Sequence, residues 1–446
     1  MLPSYAYFGI GLASAVAASP KTMEERVGPE GTRDIGNLII TAENTLNGTL
    51  PSDNPKIQDH FLNLSIHNYY NSNKMNVYIT GLDVNDYVVM LNSSGEFYYP
   101  DPHGSTIPVP IPKEVGVDIP IPYRPDPTTN LTIPDYITSG RVYIADGELE
   151  FFVLVNDLGN VSLVQPSVAN PADPSANVSW GFTELTNIAA GITADLSFVD
   201  FVGIPFGMRL TLGDGEVQTV RGLGADCLGT ICDELTEQAS IDGQPWDKMC
   251  VFREDDGKLL RVLSPNSYVA SYPNAMIDYY TQYVDDVYEK YSTEDLIVDT
   301  QGFGLVPCRV EGGDQFVCEG DDRPFPKPTT ADIWGCNSGP FAHVGDALHL
   351  AIVARMCAAF YRTELLLPGG NVTPSLCTSS YYTVEPTSYY SKFVHECELD
   401  GRGYAFSYDD VGPTGCENPA GLVAGPDPQL LEIFIAGGIH PGSNTA

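Results

Sequence analysis

Positive charge is what this chain of 446 residues has least of. It carries 22 Lys and Arg against 58 Asp and Glu, a formal net charge of −36. Nucleic-acid phosphates are held by clustered Lys and Arg, and no such cluster occurs, so nucleic acid is excluded as a partner. An anionic membrane surface would repel the chain too. No apolar run reaches the ~20 residues of a membrane-spanning helix, so no membrane association is expected. Cysteine is missing from the first 226 residues; all ten lie from Cys227 to Cys416. The seven histidines form no His-Glu-x-x-His frame, and His343 and His349 are six apart, which puts them on different helix faces. No metal site and no cofactor are expected. There is no Gly-x-Ser-x-Gly elbow to mark a serine nucleophile.

What is present describes a folded protein. Hydrophobic residues make up 43% of the chain, enough for burial to offset chain entropy, so it is not a disordered acidic tail. Its 43 Gly and 35 Pro beside 25 Tyr and 18 Phe point to many turns and short aromatic strands. The length admits one large domain or two to three ordinary ones.

The compartment is read from three features. Residues 1–19 hold an apolar stretch, Tyr5 to Ala18, followed by small residues suited to cleavage, and read as a signal peptide. Seven Asn-x-Ser/Thr sequons occur, at Asn47, Asn63, Asn92, Asn130, Asn160, Asn177 and Asn371. The cysteine count is even. Together these predict a secreted glycoprotein with disulfides, extracellular and free or wall-associated. Cys308 and Cys318 flank a Gly-rich turn, as do Cys227 and Cys232, so local bridges are expected there.

Residues 20–54 lack periodicity and read as a loose arm or propeptide. From residue 55 to 440 the chain reads as one module. Short strands are expected at Asn63–Ile66, Met75–Ile79, Tyr87–Leu91, Val142–Ile144 and Leu149–Val155, each bounded by Gly, Asp, Asn or Pro. Residues 98–127 are Pro-rich and predict an extended surface segment. Strand patterning resumes over Trp180–Thr186 and Ala194–Leu212. Helical spacing then marks Asn274–Tyr291 and Phe341–Leu366, and strand-like pieces return after Pro368. The fold class is mainly β with an α/β lobe: a β-barrel or sandwich, about 55–212 and 370–440, beside a lobe at about 213–369, with a groove between them. Trp246, Trp334 and the tyrosines near 279–291 read as core, and Arg261 as the partner of a buried acid.

Most of the 58 carboxylates must be solvated. The informative ones sit within apolar strands: Glu184 in Trp180-Gly-Phe-Thr-Glu-Leu-Thr, and Asp200 in Ser197-Phe-Val-Asp-Phe-Val. Burial there raises a carboxyl pKa. The two are an even sixteen residues apart. If the runs pair as a hairpin centred near residue 192, both side chains leave one face of the sheet. Two carboxyls held ~6.5–9.5 Å apart suit inverting glycoside hydrolysis, and ~5–5.5 Å suits retention.

At these residues the chain resembles glycoside hydrolase family 64, the thaumatin-like endo-β-1,3-glucanases. The likeness runs through eight blocks in order: Ile133 to Tyr143, Asn170 to Pro174, Trp180 to Thr186, Val199 to Pro205, Asp242 to Trp246, Leu260 to Pro265, Gly339 to Ala342, and Gly401 to Val411. The resemblance implies a β-barrel beside a mixed α/β lobe, with a wide groove holding a β-1,3-glucan as partner, in a monomer. It implies Glu184 as general acid and Asp200 as general base. It further implies that Asp173, Thr186, Tyr408, Asp409 and Asp410 contact substrate. Asn187 departs from the family pattern by coming early, directly before Ile188.

Two other classes remain open on the sequence. A non-catalytic β-glucan-binding or antifungal wall protein on the same scaffold would keep the groove without needing both acids. An acidic structural wall protein would release no soluble sugar.

Overall fold

The computed structural model describes residues 60–123 and 127–436. The expected signal peptide, the arm at 20–54 and the sequon at Asn47 lie outside the described residues. Eleven strands carry or flank the acid-bearing hairpin and its core: β1 (Leu62–Asn68), β2 (Met75–Leu82), β3 (Thr128–Ile133), β4 (Ile137–Asp146), β5 (Ser179–Ile188), β6 (Gly191–Leu196), β7 (Phe201–Val202), β8 (Phe206–Leu212), β9 (Leu259–Leu263), β10 (Leu422–Gly425) and β11 (Pro428–Ile435). The α-helices among the described residues are α1 (Cys227–Asp242), α2 (Pro265–Ser271), α3 (Thr281–Lys290), α4 (Thr330–Gly335), α5 (Ala347–Tyr361) and α6 (Tyr389–Cys397). None of them is long and apolar enough to cross a membrane.

The fold is mainly β. The largest sheet has eight strands, with β10, β6, β5, β4 and β2 side by side, and it carries the candidate acids. A five-stranded sheet places β8, β11, β1 and β3 in order, with β1 parallel to β11 in the register Leu64↔Leu431 and Ile66↔Ile433. The apolar faces of these two sheets share one core. It joins Val142, Ile144, Leu185, Ala194 and Leu196 to Leu64, Ile66, Met208, Leu210, Leu431 and Ile433. Smaller sheets are built on β7 with β9, and around Leu305–Glu311. Every sheet formed by the described residues is open, so the expected barrel does not close. The Pro-rich segment contributes the two-residue strand pieces Val109–Pro110 and Ile119–Pro120 and one short 3-10 turn, Lys113–Val115. Both strand pieces pair at sheet margins, where a missing N–H is tolerated.

The helices differ from expectation at their ends. The run expected from Asn274 starts at Thr281, because Met276 takes φ 55° and interrupts the right-handed turn. The run expected from Phe341 starts at Ala347, where the Asp346 side chain accepts from the His349 N–H at 2.9 Å as an N-cap. After Pro368, where strands were expected throughout, α6 appears before β10 and β11.

Five disulfides are formed, and the described cysteines are all paired. Cys308–Cys318 is the expected local bridge. Cys227 and Cys232 do not pair. Cys227 bonds to Cys397 and Cys232 to Cys250. Both cysteines lie on α1, where five residues turn a side chain by about 140° and point the two thiols apart.

Candidate active site

The site grows from one hairpin. The chain turns at Ala189–Ala190, and Gly191, at φ 136°, has no room for a side chain: a Cβ there would sit 2.4 Å from the Gly425 carbonyl oxygen. The hairpin therefore centres between residues 189 and 190, not on 192. This register sets Asp195, and not Asp200, directly opposite Glu184. On the other flank of β5, Glu184 lies opposite Arg141 of β4. Arg141, Glu184 and Asp195 thus form a row across the sheet. Phe182, Glu184 and Thr186 share the face opposite the core-facing Thr183 and Leu185.

Glu184 is buried. One of its oxygens accepts from Arg141 Nε at 2.9 Å. The Ser197 hydroxyl donates to it as well. Arg141 also donates to the Gln165 side chain at 2.7 Å and lies over the Phe182 ring, 4.5 Å from its centroid. Tyr143 reaches the same Gln165 oxygen. Burial pushes the Glu184 carboxyl up; Arg141 pulls it back, and the Asp200 charge pushes it up again. Burial likewise raises Asp195, well above the ordinary aspartate value, with Glu184 adding to the shift. Arg141 keeps its charge despite burial because Glu184, Tyr143 and Asp200 surround it.

Asp200 arrives by a different route. After β6 the chain leaves the sheet, held by the Phe198 N–H bond to the Tyr404 carbonyl at 2.7 Å and by the Tyr390 hydroxyl on the Phe198 carbonyl at 2.5 Å. The Asp200 carbonyl accepts from the Ser264 N–H at 3.0 Å, which docks this stretch against α2. Gly203 then presses onto β5; a Cβ there would lie 1.9 Å from the Trp180 carbonyl oxygen. The Asp200 side chain is only half-buried. Burial raises its pKa above the ordinary aspartate value, and Arg141, the cation it shares with Glu184, offsets only part of that rise.

The other sequence candidates fall into two groups. Thr186 lies two residues beyond Glu184 on the same face. Asp410 is half-buried, its carboxyl pushed up to about 7 by burial, and its charge acts on Asp195. These two belong with the row. Asp409 and Tyr408 are engaged in holding the C-terminal loop. Asp409 is fully buried: one oxygen accepts from Arg362 at 2.9 Å, and the other accepts from the Ala405 N–H at 2.8 Å and pairs with His395 at 3.0 Å. Fully buried, this carboxylate faces those partners and not the solvent side of the sheet. The Tyr408 hydroxyl bonds His343 Nε2 at 2.7 Å. Asp173 accepts the N–H groups of Ser167 and Ser175, at 3.0 and 2.8 Å, and so shapes its own loop. Arg261 donates to the carbonyls of Ala176 and Val178, 2.7 Å each, and not to a buried acid as expected. Trp246 and Trp334 pack with Tyr279 in the core, as expected.

Sequence reasoning passed over Arg141, Asp195 and Tyr404. Arg141 lay within the Ile133–Tyr143 block, and alternation from the core residues Val142 and Ile144 assigns it to the acid face. The Asp195 signal was the turn at Ala189–Ala190. Tyr404 is buried, its hydroxyl has no hydrogen-bond partner among the described residues, and the charges of Asp410, Asp195 and Glu184 bear on it.

Comparison with known proteins gives the family. A family model described as β-1,3-glucanase, that of glycoside hydrolase family 64, matches residues 60–435. The chain belongs to glycoside hydrolase family 64. A glucan endo-1,3-β-glucosidase of Cellulosimicrobium cellulans is 30% identical over 296 residues, covering 61% of this chain and 48% of that protein. One from Arthrobacter sp. (strain YCWD3) is 29% identical over the same shares. The chain therefore spans about half the length of these curated relatives. Among solved structures, a laminaripentaose-producing β-1,3-glucanase in complex with laminaritetraose aligns with TM-score 0.73 and 26% identity, over 84% of this chain and 98% of that one. A family 64 β-1,3-glucanase domain from Clostridium beijerinckii, 21% identical with TM-score 0.67, covers 86% of this chain and all of that one and shares the fold.

Proposed function

We propose that this protein is an endo-β-1,3-glucanase that hydrolyses its polysaccharide with two carboxyls, Glu184 as general acid and Asp200 as general base. The observation that carries the reading is that both acids lie in the field of one arginine, Arg141, yet in unlike settings. Glu184 is buried in the sheet, where burial favours the neutral, proton-donating form. Asp200 is half-buried on a segment leaving the sheet, open enough to meet a water. The position closest to Glu184, ~5 Å between Cβ atoms, is taken by Asp195. Asp200 is not the directly opposed residue, though its charge acts on Glu184; inversion calls for ~6.5–9.5 Å between the two carboxyls, room for a water between base and sugar. Glu184 protonates the glycosidic oxygen as its bond to the anomeric carbon breaks. Asp200 takes a proton from the water that attacks the opposite ring face. Thr186 and Asp410 line the approach of the glucan. Five disulfides, and the exposure of the sequon residues Asn63, Asn130, Asn160, Asn177 and Asn371, support a secreted glycoprotein.

The test is hydrolysis of linear β-1,3-glucan by the wild-type chain and two isosteric variants. Glu184→Gln and Asp200→Asn should each lower turnover by about two to four orders of magnitude, the range ascribed to acid–base groups, with an unchanged melting profile. Near wild-type rates in either variant would remove that residue from its role. A wild-type chain that binds glucan but releases no sugar would support the non-catalytic binding protein instead.

A further inference from the structure

We propose that Asp195 is a positioning residue for Glu184: the two opposed carboxyls hold one proton between them, and this keeps Glu184 able to donate at the pH where Asp200 is ionised. The inference rests on the reading of Glu184 as general acid.

The geometry comes first. Glu184 and Asp195 are directly opposed in the β5–β6 register, so their side chains leave the same face with Cβ atoms ~5 Å apart. They are 5% and 3% exposed, so water cannot screen one charge from the other. The surroundings are short of positive charge. From β4, Arg141 faces the pair and hydrogen-bonds Glu184. From β10, Asp195 meets the apolar Leu422. From the segment after β6, Ser197 donates to Glu184, and Asp200 adds a negative charge. From the C-terminal loop come the Asp410 charge and Tyr404, whose buried hydroxyl has no hydrogen-bond partner among the described residues. One guanidinium thus stands against Glu184, Asp195 and Asp200, and the Asp410 charge acts on Asp195 as well. Two buried carboxylates this close do not both ionise readily, and the proton they retain belongs to the pair. Burial and the Glu184 charge both act to raise Asp195, in keeping with this arrangement.

An asparagine at 195 keeps the shape but removes the shared charge. Without that charge, Glu184 loses its proton at lower pH. The pH dependence of kcat/KM on linear β-1,3-glucan should therefore show its basic limb displaced downward by about one unit or more in Asp195→Asn, with activity below the limb largely kept. A limb that stays in place overturns the proposal, whether activity is kept or lost at every pH; the second outcome would make Asp195 a structural or nucleophilic group. Should Asp195→Asn not fold, carboxyl ¹³C NMR titration of the wild-type chain and of Glu184→Gln answers the same question. The Asp195 step should fall by about one unit or more when Glu184 is made neutral. An unchanged step overturns the proposal. Full activity in Glu184→Gln would instead defeat the general-acid reading, and that result is separate from the limb position in Asp195→Asn.

Discussion

Arg141 holds the site together at the scale of single residues. It pairs with Glu184, bonds Gln165 and covers the Phe182 ring. Replacing it by Met would keep much of the packing but leave Glu184 buried without a cation. Breaking a buried pair in this way costs about 3–5 kcal/mol. Because the Glu184 carboxyl would then be raised further, the cost should be greatest near neutral pH and shrink in acid, where Glu184 is protonated. The basic limb of the activity profile should move up, opposite to the effect of Asp195→Asn. Urea unfolding of Arg141→Met at pH 5 and pH 7.5 checks the first point; equal losses at both would contradict it. Part of this was legible in the sequence. A glutamate between Thr183 and Leu185 in an apolar run announces itself. Its neighbours did not, because they depend on register: centring the hairpin on residue 192 sets Asp200 opposite Glu184, and moving the turn to Ala189–Ala190 puts Asp195 there. Asp409 and Asp410 were equally opaque. Only the fold turns one inward onto Arg362 and His395 and leaves the other facing the acids.

The strands were the readable part at the scale of elements. Met75–Leu82 and Ser179–Ile188 extend the runs expected at Met75–Ile79 and Trp180–Thr186 by a few residues at their ends. Their β-branched and aromatic content, with turn residues on either side, leaves little alternative. Helix ends were less readable because single backbone conformations decide them. Met276 at φ 55° and Gly345 at φ 123° stop what apolar spacing alone would continue. α6 was hidden by composition: its Tyr- and Ser-rich run favours strands locally, while the buried Tyr390, Phe393 and Val394 follow a helical i, i+3, i+4 pattern. The same helix carries Cys397, whose bridge to Cys227 ties it to α1 across 170 residues. No local spacing rule could have found that bridge.

The acidity that excluded nucleic acid also sets how the whole molecule responds to pH. Glu364 and Glu398, ordinarily at 4.5, and Asp410, ordinarily at 3.8, are pushed up to about 7 by burial. Each binds its proton more tightly folded than unfolded. Their stabilisation is complete below the unfolded values and is lost as pH rises through about 7. His395 adds the same trend higher up. Its burial is outweighed by Asp409 and Glu398, which hold it up to about 10, so its contribution fades as pH climbs through that value. Glu432 runs the other way. Although burial opposes it, His67 and Arg209 hold it down to about 2, so its contribution is present above 4.5 and is lost as pH falls toward 2. Self-repulsion at a net charge of −36 deepens the loss at high pH. The melting temperature should therefore be several degrees higher at pH 5 than at pH 8, by calorimetry at fixed ionic strength. A midpoint that is equal or higher at pH 8 would contradict this assignment of buried acids.

The stereochemistry of the first product formed from linear β-1,3-glucan tests the two-acid account most directly, followed by ¹H NMR before mutarotation mixes the anomers. If Glu184 protonates the linkage while Asp200 drives water onto the far face of the ring, the new reducing end appears first as the α-anomer. An initial β-anomer would mean a covalent intermediate on a carboxyl close to Glu184, which would transfer the second role from Asp200 to Asp195.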